Sequence, residues 1–178
     1  MTFLYFAYGS NMLPARLRSR CPSAKTIGAA VARDWILEFS KASKDGSGKA
    51  TLAPAPSASV PGVIFEIDVA EQKRLDKHEG VGFGYRREDA FTVEGITVLT
   101  SSYLGTSLDR ARQPFDWYLA TVIAGAEHHG LNVDHVAALK RTPFVEDTDL
   151  NRKARLDAIH AMREHGIEDY RKLISGRG

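Results

Sequence analysis

A chain of 178 residues, 43% hydrophobic and 26% charged, is long enough for one domain with a sizeable core and has the composition of an ordinary globular protein. The formal net charge of +2, with acids and bases interspersed, argues against nucleic acid or a membrane surface as a partner. No apolar run reaches the length of a membrane span, and the single cysteine, Cys21, rules out an internal disulfide and fits a reducing compartment such as the cytoplasm.

Residues 3–8, Phe-Leu-Tyr-Phe-Ala-Tyr, form an apolar, aromatic run of strand length. With no basic segment ahead of it, the run is predicted as a core strand rather than a signal peptide. It meets Gly9, Ser10 and Asn11, and then a segment that can be helical. Gly9 lets the backbone turn sharply and approach a ligand closely. Ser10 or Asn11 can cap the helix, and Pro14 falls in its first turn, where a missing N–H costs nothing. Such a turn leaves backbone N–H groups free for a carboxylate or an oxyanion, although many strand–helix turns of this composition hold no ligand.

The first helix is predicted over 12–18, with Leu13 and Leu17 on one face, closing at Cys21, Pro22 and Ser23. Residues 27–39 are predicted to supply one or two strands, because Trp35, Leu37 and Phe39 recur at period two. The polar, small-residue stretch 40–59 is predicted as a long in-domain loop, broken at most by a brief strand near 50–53. A strand over 61–67 leads to a helix with Asp68 as N-cap, Glu71 three positions on, and Gly80 as its stop. Two strands, 85–93 and 96–104, are predicted to join at Glu94 and Gly95 as a hairpin. Helices follow: one carrying Phe115, Leu119, Val122, Ile123 and Ala126 and ending at Gly130, one capped by Asn132, and one carrying Leu156, Ile159 and Met162. Strands early and helices late give an α+β class, with 1–178 as a single domain and 145–178 as a helical extension.

Glu79 is the notable candidate for chemistry. It falls in the last turn of its predicted helix, at the negative end of the dipole, where a charged carboxylate is disfavoured and proton transfer is favoured if apolar neighbours screen it. The alternative is a solvated acid balanced by Arg74, Lys77 or His78. Tyr85, Tyr103 and Tyr118 are either half-buried core residues or hydroxyls turned toward a ligand. His128 and His129 are adjacent and cannot both face one metal from one helical face. No paired-cysteine motif, P-loop, dinucleotide fingerprint or nucleophile elbow is present in the sequence.

Taken together, Phe-Leu-Tyr-Phe-Ala-Tyr-Gly-Ser-Asn at 3–11 and Leu-Asp-x-x-Glu-Gly-Val at 75–81 resemble the γ-glutamylcyclotransferase family. The resemblance continues through Ser102, Tyr103 and Leu104 and through the Tyr118 helix to about residue 140. It implies a twisted, β-barrel-like mixed sheet with flanking helices. The implied reaction turns a γ-glutamyl amide into 5-oxoproline and a free amine, with no metal or organic cofactor and only a small-molecule γ-glutamyl substrate as partner. A homodimer stays open. By the same resemblance, backbone groups of Tyr8, Gly9, Ser10, Asn11 and Met12 would hold the substrate's α-carboxylate and polarise its γ-carbonyl. Glu79 would act as general acid and base, and Tyr85, Tyr103 and Tyr118 would orient the substrate. Two alternatives stand beside this: a relative acting on γ-glutamylamines or other γ-glutamyl metabolites, and a non-catalytic module that binds small carboxylates. Glu79 argues against the second, because a binding module has no need of an acid at a helix C-terminus. Residues 44–59 and the last 40 or so carry no motif of the family.

Overall fold

The computed structural model describes residues 1–175. In chain order it contains β1 (Thr2–Ala7), α1 (Pro14–Arg20), β2 (Lys25–Ala42), β3 (Gly48–Asp68), α2 (Gln72–Glu79), β4 (Tyr85–Phe91) and β5 (Thr100–Gly105). Four helices complete it: α3 (Asp116–His128), α4 (Val133–Lys140), α5 (Lys153–Arg163) and α6 (Arg171–Ile174). The strands form one mixed sheet in the order β2-β3-β1-β5-β4, with β1 antiparallel to β3 and parallel to β5. The α+β class therefore holds, and because the edge strands β2 and β4 are not neighbours, the sheet is open rather than closed into a barrel.

β1 is the central strand, which explains its unbroken apolar run. Tyr5, Phe6 and Ala7 are buried in succession because both faces of the sheet are covered there. α3 lies against the turn at 10–12 that follows β1. Every residue of α3 from Asp116 to Ala126 is buried, so this helix is enclosed on all sides instead of presenting one face. Gly125 permits the closest approach: a Cβ there would sit 2.7 Å from the backbone nitrogen of Leu13 and from the Cβ of Met12.

Three expectations are corrected. The stretch 40–59 is not a loop: β2 and β3 are strands of 18 and 21 residues forming a long ribbon, turned at 43–47. The prolines misled because Pro54, opposite Trp35, and Pro56 both sit within β3. β1 pairs with β3 only from Val63 to Asp68, so the earlier part of β3 has β2 alone as partner and a proline nitrogen facing away from β2 breaks no ladder bond. The pairing register slips between Arg33 and Trp35, where Asp34 and Ser57 both adopt positive φ and the Ser57 amide donates to Asp34 Oδ1 at 2.8 Å. The second correction concerns α1, which begins at Pro14 rather than Met12, with no side-chain cap.

The third correction is the hairpin: β4 ends at Phe91 and β5 begins at Thr100, so 92–99 is a longer connection containing Glu94 and Gly95 and not a tight two-residue turn. The predicted caps and stops after α1 hold. Asp68 caps through Ala70 N, Gly80 ends α2 in the left-handed region at φ 76°, and Asn132 accepts from the amides of Asp134 and His135.

Candidate active site

β1 delivers Tyr5 and Tyr8 to its C-terminal end, and Gly9 turns the chain away. A Cβ on Gly9 would lie 3.1 Å from the Cβ of Ala50 and 3.5 Å from the Tyr118 hydroxyl, so glycine allows a close approach here. Ser10–Met12 then form one 3-10 turn, closed by Met12 N donating to Gly9 O at 3.0 Å and Leu13 N donating to Ser10 O at 3.3 Å. The first amides of such a turn, those of Gly9, Ser10 and Asn11, lack an intrahelical acceptor. Met12 is different: its amide is spent inside the turn, and its fully buried side chain packs in the core.

Neither Ser10 nor Asn11 caps a helix with its side chain. Ser10 Oγ accepts from Arg16 Nε at 3.1 Å. The side-chain amide of Asn11 donates to the Tyr5 hydroxyl at 3.0 Å and to Glu79 Oε1 at 2.8 Å, while its carbonyl accepts from an Arg20 terminal nitrogen at 2.9 Å. That same Arg20 nitrogen donates to Glu79 Oε1 at 2.7 Å. Glu79 is thus held at one oxygen by an amide and a guanidinium. It is not balanced by Arg74, Lys77 or His78: its cation is Arg20, at the C-terminal end of α1, where a basic residue suits the helix dipole. Oε2 accepts no hydrogen bond from the described residues.

Around Glu79 lies a small cavity of about 30 Å³, walled by Tyr5, Tyr8, Tyr85, Tyr103 and Tyr118 with the turn Gly9, Ser10, Asn11 and with Ala50. The hydroxyls are fixed in place. Tyr8 donates to the backbone oxygen of Tyr103, Tyr85 donates to Ala50 O at 2.6 Å, and Tyr118 accepts from Ala50 N at 3.1 Å. Tyr103 donates to Asp76 Oδ1 at 2.8 Å, and Asp76 is also paired with Arg87, which pins α2 to the sheet. Burial, and after it the charge of Glu79, holds the Tyr5 hydroxyl well above the usual phenol range. Burial also raises the pKa of Tyr8, Tyr85, Tyr103 and Tyr118, so these groups stay protonated.

The inner cavity opens into a vestibule of about 230 Å³ that shares Ser10, Glu79, Tyr85 and Tyr118 with it. Arg16, Arg20, Lys41, Asp45 and Lys49 line this outer space.

Glu79, Tyr8, Gly9, Ser10, Asn11, Tyr85, Tyr103 and Tyr118, all singled out from the sequence, meet at this one cavity, whereas Met12 lies outside its wall. Sequence reasoning missed Tyr5, Asp76, Arg16, Arg20 and the side-chain role of Asn11. Among the described residues no three His, Cys, Asp or Glu side chains are grouped as metal ligands, and no helix is long and apolar enough to cross a membrane.

A family model for the AIG2-like family matches residues 59–139. The chain is 33% identical over 147 residues to human γ-glutamylcyclotransferase, covering 78% of both proteins, and 32% identical over 160 residues to the bovine protein of that name, covering 85% of this chain and 83% of the other. Its structure is similar to a solved γ-glutamyl cyclotransferase at a TM-score of 0.79 and 30% identity, over 90% of this chain and 99% of that one. Relatives of that closeness, covering most of both chains, make this chain an enzyme and a member of the γ-glutamylcyclotransferase family.

Proposed function

We propose that this cyclotransferase converts a γ-glutamyl amide to 5-oxoproline and a free amine, with Glu79 carrying the proton. In this reaction the substrate's α-amino nitrogen attacks its own γ-carbonyl carbon, closing the lactam. The amide C–N bond then breaks and the departing nitrogen takes up the proton that the attacking nitrogen gave up. No water is consumed and no external acceptor is needed. Glu79 Oε2, free of protein donors, takes that proton and returns it. Oε1, gripped by Asn11 and Arg20, keeps the carboxylate in one orientation throughout.

The amides of the Gly9–Ser10–Asn11 turn supply fixed donors for the α-carboxylate and for charge growing on the γ-carbonyl oxygen. The buried tyrosines hold the glutamyl chain curled, and because attack is intramolecular this orientation supplies much of the rate. Met12, its amide already used, contributes only through packing.

The observation that carries this reading is the doubly anchored Glu79 facing a turn of free amides across one small cavity. Incubation with a panel of γ-glutamyl amino acids, peptides and amines, scored for 5-oxoproline by mass spectrometry, tests it; no product from any of them sinks it. Glu79→Gln keeps the shape and an acceptor at Oε1 while removing proton exchange. It is expected to lower kcat by at least about a hundredfold with a cooperative melt retained. Full activity in that variant removes Glu79 from the proton-transfer role.

A further inference from the structure

The charges of the vestibule do not balance. Four cations line it, Arg16, Arg20, Lys41 and Lys49, against two carboxylates, Asp45 and Glu79. Each carboxylate is already taken: Glu79 pairs with Arg20 at 2.7 Å and Asp45 with Lys49 at 2.9 Å. Arg16 and Lys41 remain without a carboxylate inside ion-pair distance among the described residues, although they are only 6% and 8% exposed.

Arg16 has one hydrogen bond, from Nε to Ser10 Oγ, and its terminal nitrogens find no acceptor among the described residues. Lys41 is held by its stem. A Cβ on Gly84 would come within 2.7 Å of its Cε, and its Nζ lies 4.8 Å from the centre of the Tyr85 ring. The charged nitrogens of neither residue are among the buried atoms left without a partner, so an anion entering the vestibule can reach both, and pairing there would offset the cost of burying their stems. Burial lowers the pKa of both, which expresses the same cost.

The vestibule continues directly from the inner cavity past Glu79, Ser10, Tyr85 and Tyr118. If the glutamyl part fills the inner cavity, the departing amine lies among these cations. Two unpaired positive charges, fixed on separate elements, α1 and β2, match two negative charges on one small group. We propose that the vestibule selects a leaving group with two carboxylates, an acidic amino acid joined through its nitrogen to the γ-glutamyl carbonyl. This deepens the cyclotransferase reading above and rests on it.

The test compares γ-glutamyl-glutamate and γ-glutamyl-aspartate with γ-glutamyl-alanine and γ-glutamyl-ethylamine on the full-length protein, following 5-oxoproline. The acidic substrates are expected to show kcat/KM at least about tenfold above the other two at low salt, a margin that narrows as ionic strength rises. Lys41→Met and Arg16→Gln are each expected to lower turnover of the acidic substrates well beyond that of γ-glutamyl-ethylamine, whose leaving group has no carboxylate, and Lys41→Arg is expected to keep the margin. Equal turnover of all four substrates overturns this proposal and leaves the cyclotransferase reading standing. So does a uniform loss across substrates in both charge-removing variants, or a salt-independent preference in the unaltered protein. No 5-oxoproline from any substrate overturns both.

Discussion

At the scale of single residues, Asn11 is the joint of the site. Its one side chain satisfies the buried Tyr5 hydroxyl, grips Glu79 and accepts from Arg20, so three groups from β1, α2 and α1 depend on it. Asn11→Ala is expected to destabilise the protein by about 1–3 kcal/mol, because a buried hydroxyl and part of a carboxylate lose their partner. It is also expected to lower kcat by about tenfold or more, since Glu79 is then held by Arg20 alone and misorientation of a proton-transfer group is expensive in rate. Urea melts and steady-state kinetics on one γ-glutamyl substrate separate the two effects. A loss of stability with unchanged kcat assigns Asn11 to folding alone. Asn11 was visible in the sequence as part of a turn, as a candidate helix cap and as a backbone contact to substrate, but not as the partner of Glu79. The reason is physical: nothing in a local pattern says that a side chain next to a strand end will meet a carboxylate 68 positions later. Arg20 was hidden in the same way: it lies past the predicted end of the first helix, and its carboxylate is 59 positions away.

At the scale of elements, what was legible followed from local rules. The buried run of β1, the cap at Asp68, the stop at Gly80 and the cap at Asn132 each satisfy backbone groups within a few residues, and each was found where local chemistry put it. The β2–β3 ribbon was legible at 27–39 and 61–67 but not at 40–59, because its prolines are tolerated by a missing neighbour strand, a property of the sheet and not of the segment. α3 gives an element-scale prediction. Gly125 lets it press on the turn that builds the site, and replacing it sets two effects against each other. Alanine in a helix interior gains roughly 1 kcal/mol over glycine. Here, however, the added methyl would fall 2.7 Å from the Leu13 nitrogen and 2.9 Å from the Met12 carbonyl carbon, backbone atoms that cannot swing aside. Overpacking of this kind costs about 1–3 kcal/mol, so the clash wins. Gly125→Ala is expected to lower Tm and to weaken turnover by shifting Gly9, Ser10 and Asn11. A Tm equal to or above that of the parent protein would mean that α3 yields without disturbing the turn.

At the scale of the whole molecule, the question is whether the helical extension from residue 145, past the end of the family motifs at about residue 140, is an appendage. Packing says that it is not. α3 is buried on every side, and the side facing α5 is covered by Ala158, Ala161 and Met162, all buried. The segment also completes the polar interior. Asp116, 3% exposed, accepts from the Tyr170 hydroxyl at 2.7 Å and from the Asp147 amide at 3.1 Å, while Trp117 Nε1 donates to Asp147 Oδ2 at 2.8 Å. Ending the chain at residue 144 would uncover the apolar side of the helix that carries Tyr118 and leave a buried carboxylate and a buried indole N–H without partners. Several such losses, each about 1–3 kcal/mol for an orphaned polar group and about 1.5–3 kcal/mol for a large side chain returned to water, together rival the total stability of a domain, about 5–15 kcal/mol. A chain of residues 1–144 is therefore expected to lack a cooperative thermal transition and to show water-exposed fluorescence from Trp117. A cooperative melt with retained 5-oxoproline formation would instead make 145–175 dispensable. The stability of the active site would then have to come from the sheet and α1 alone, in spite of how completely the later helices enclose α3.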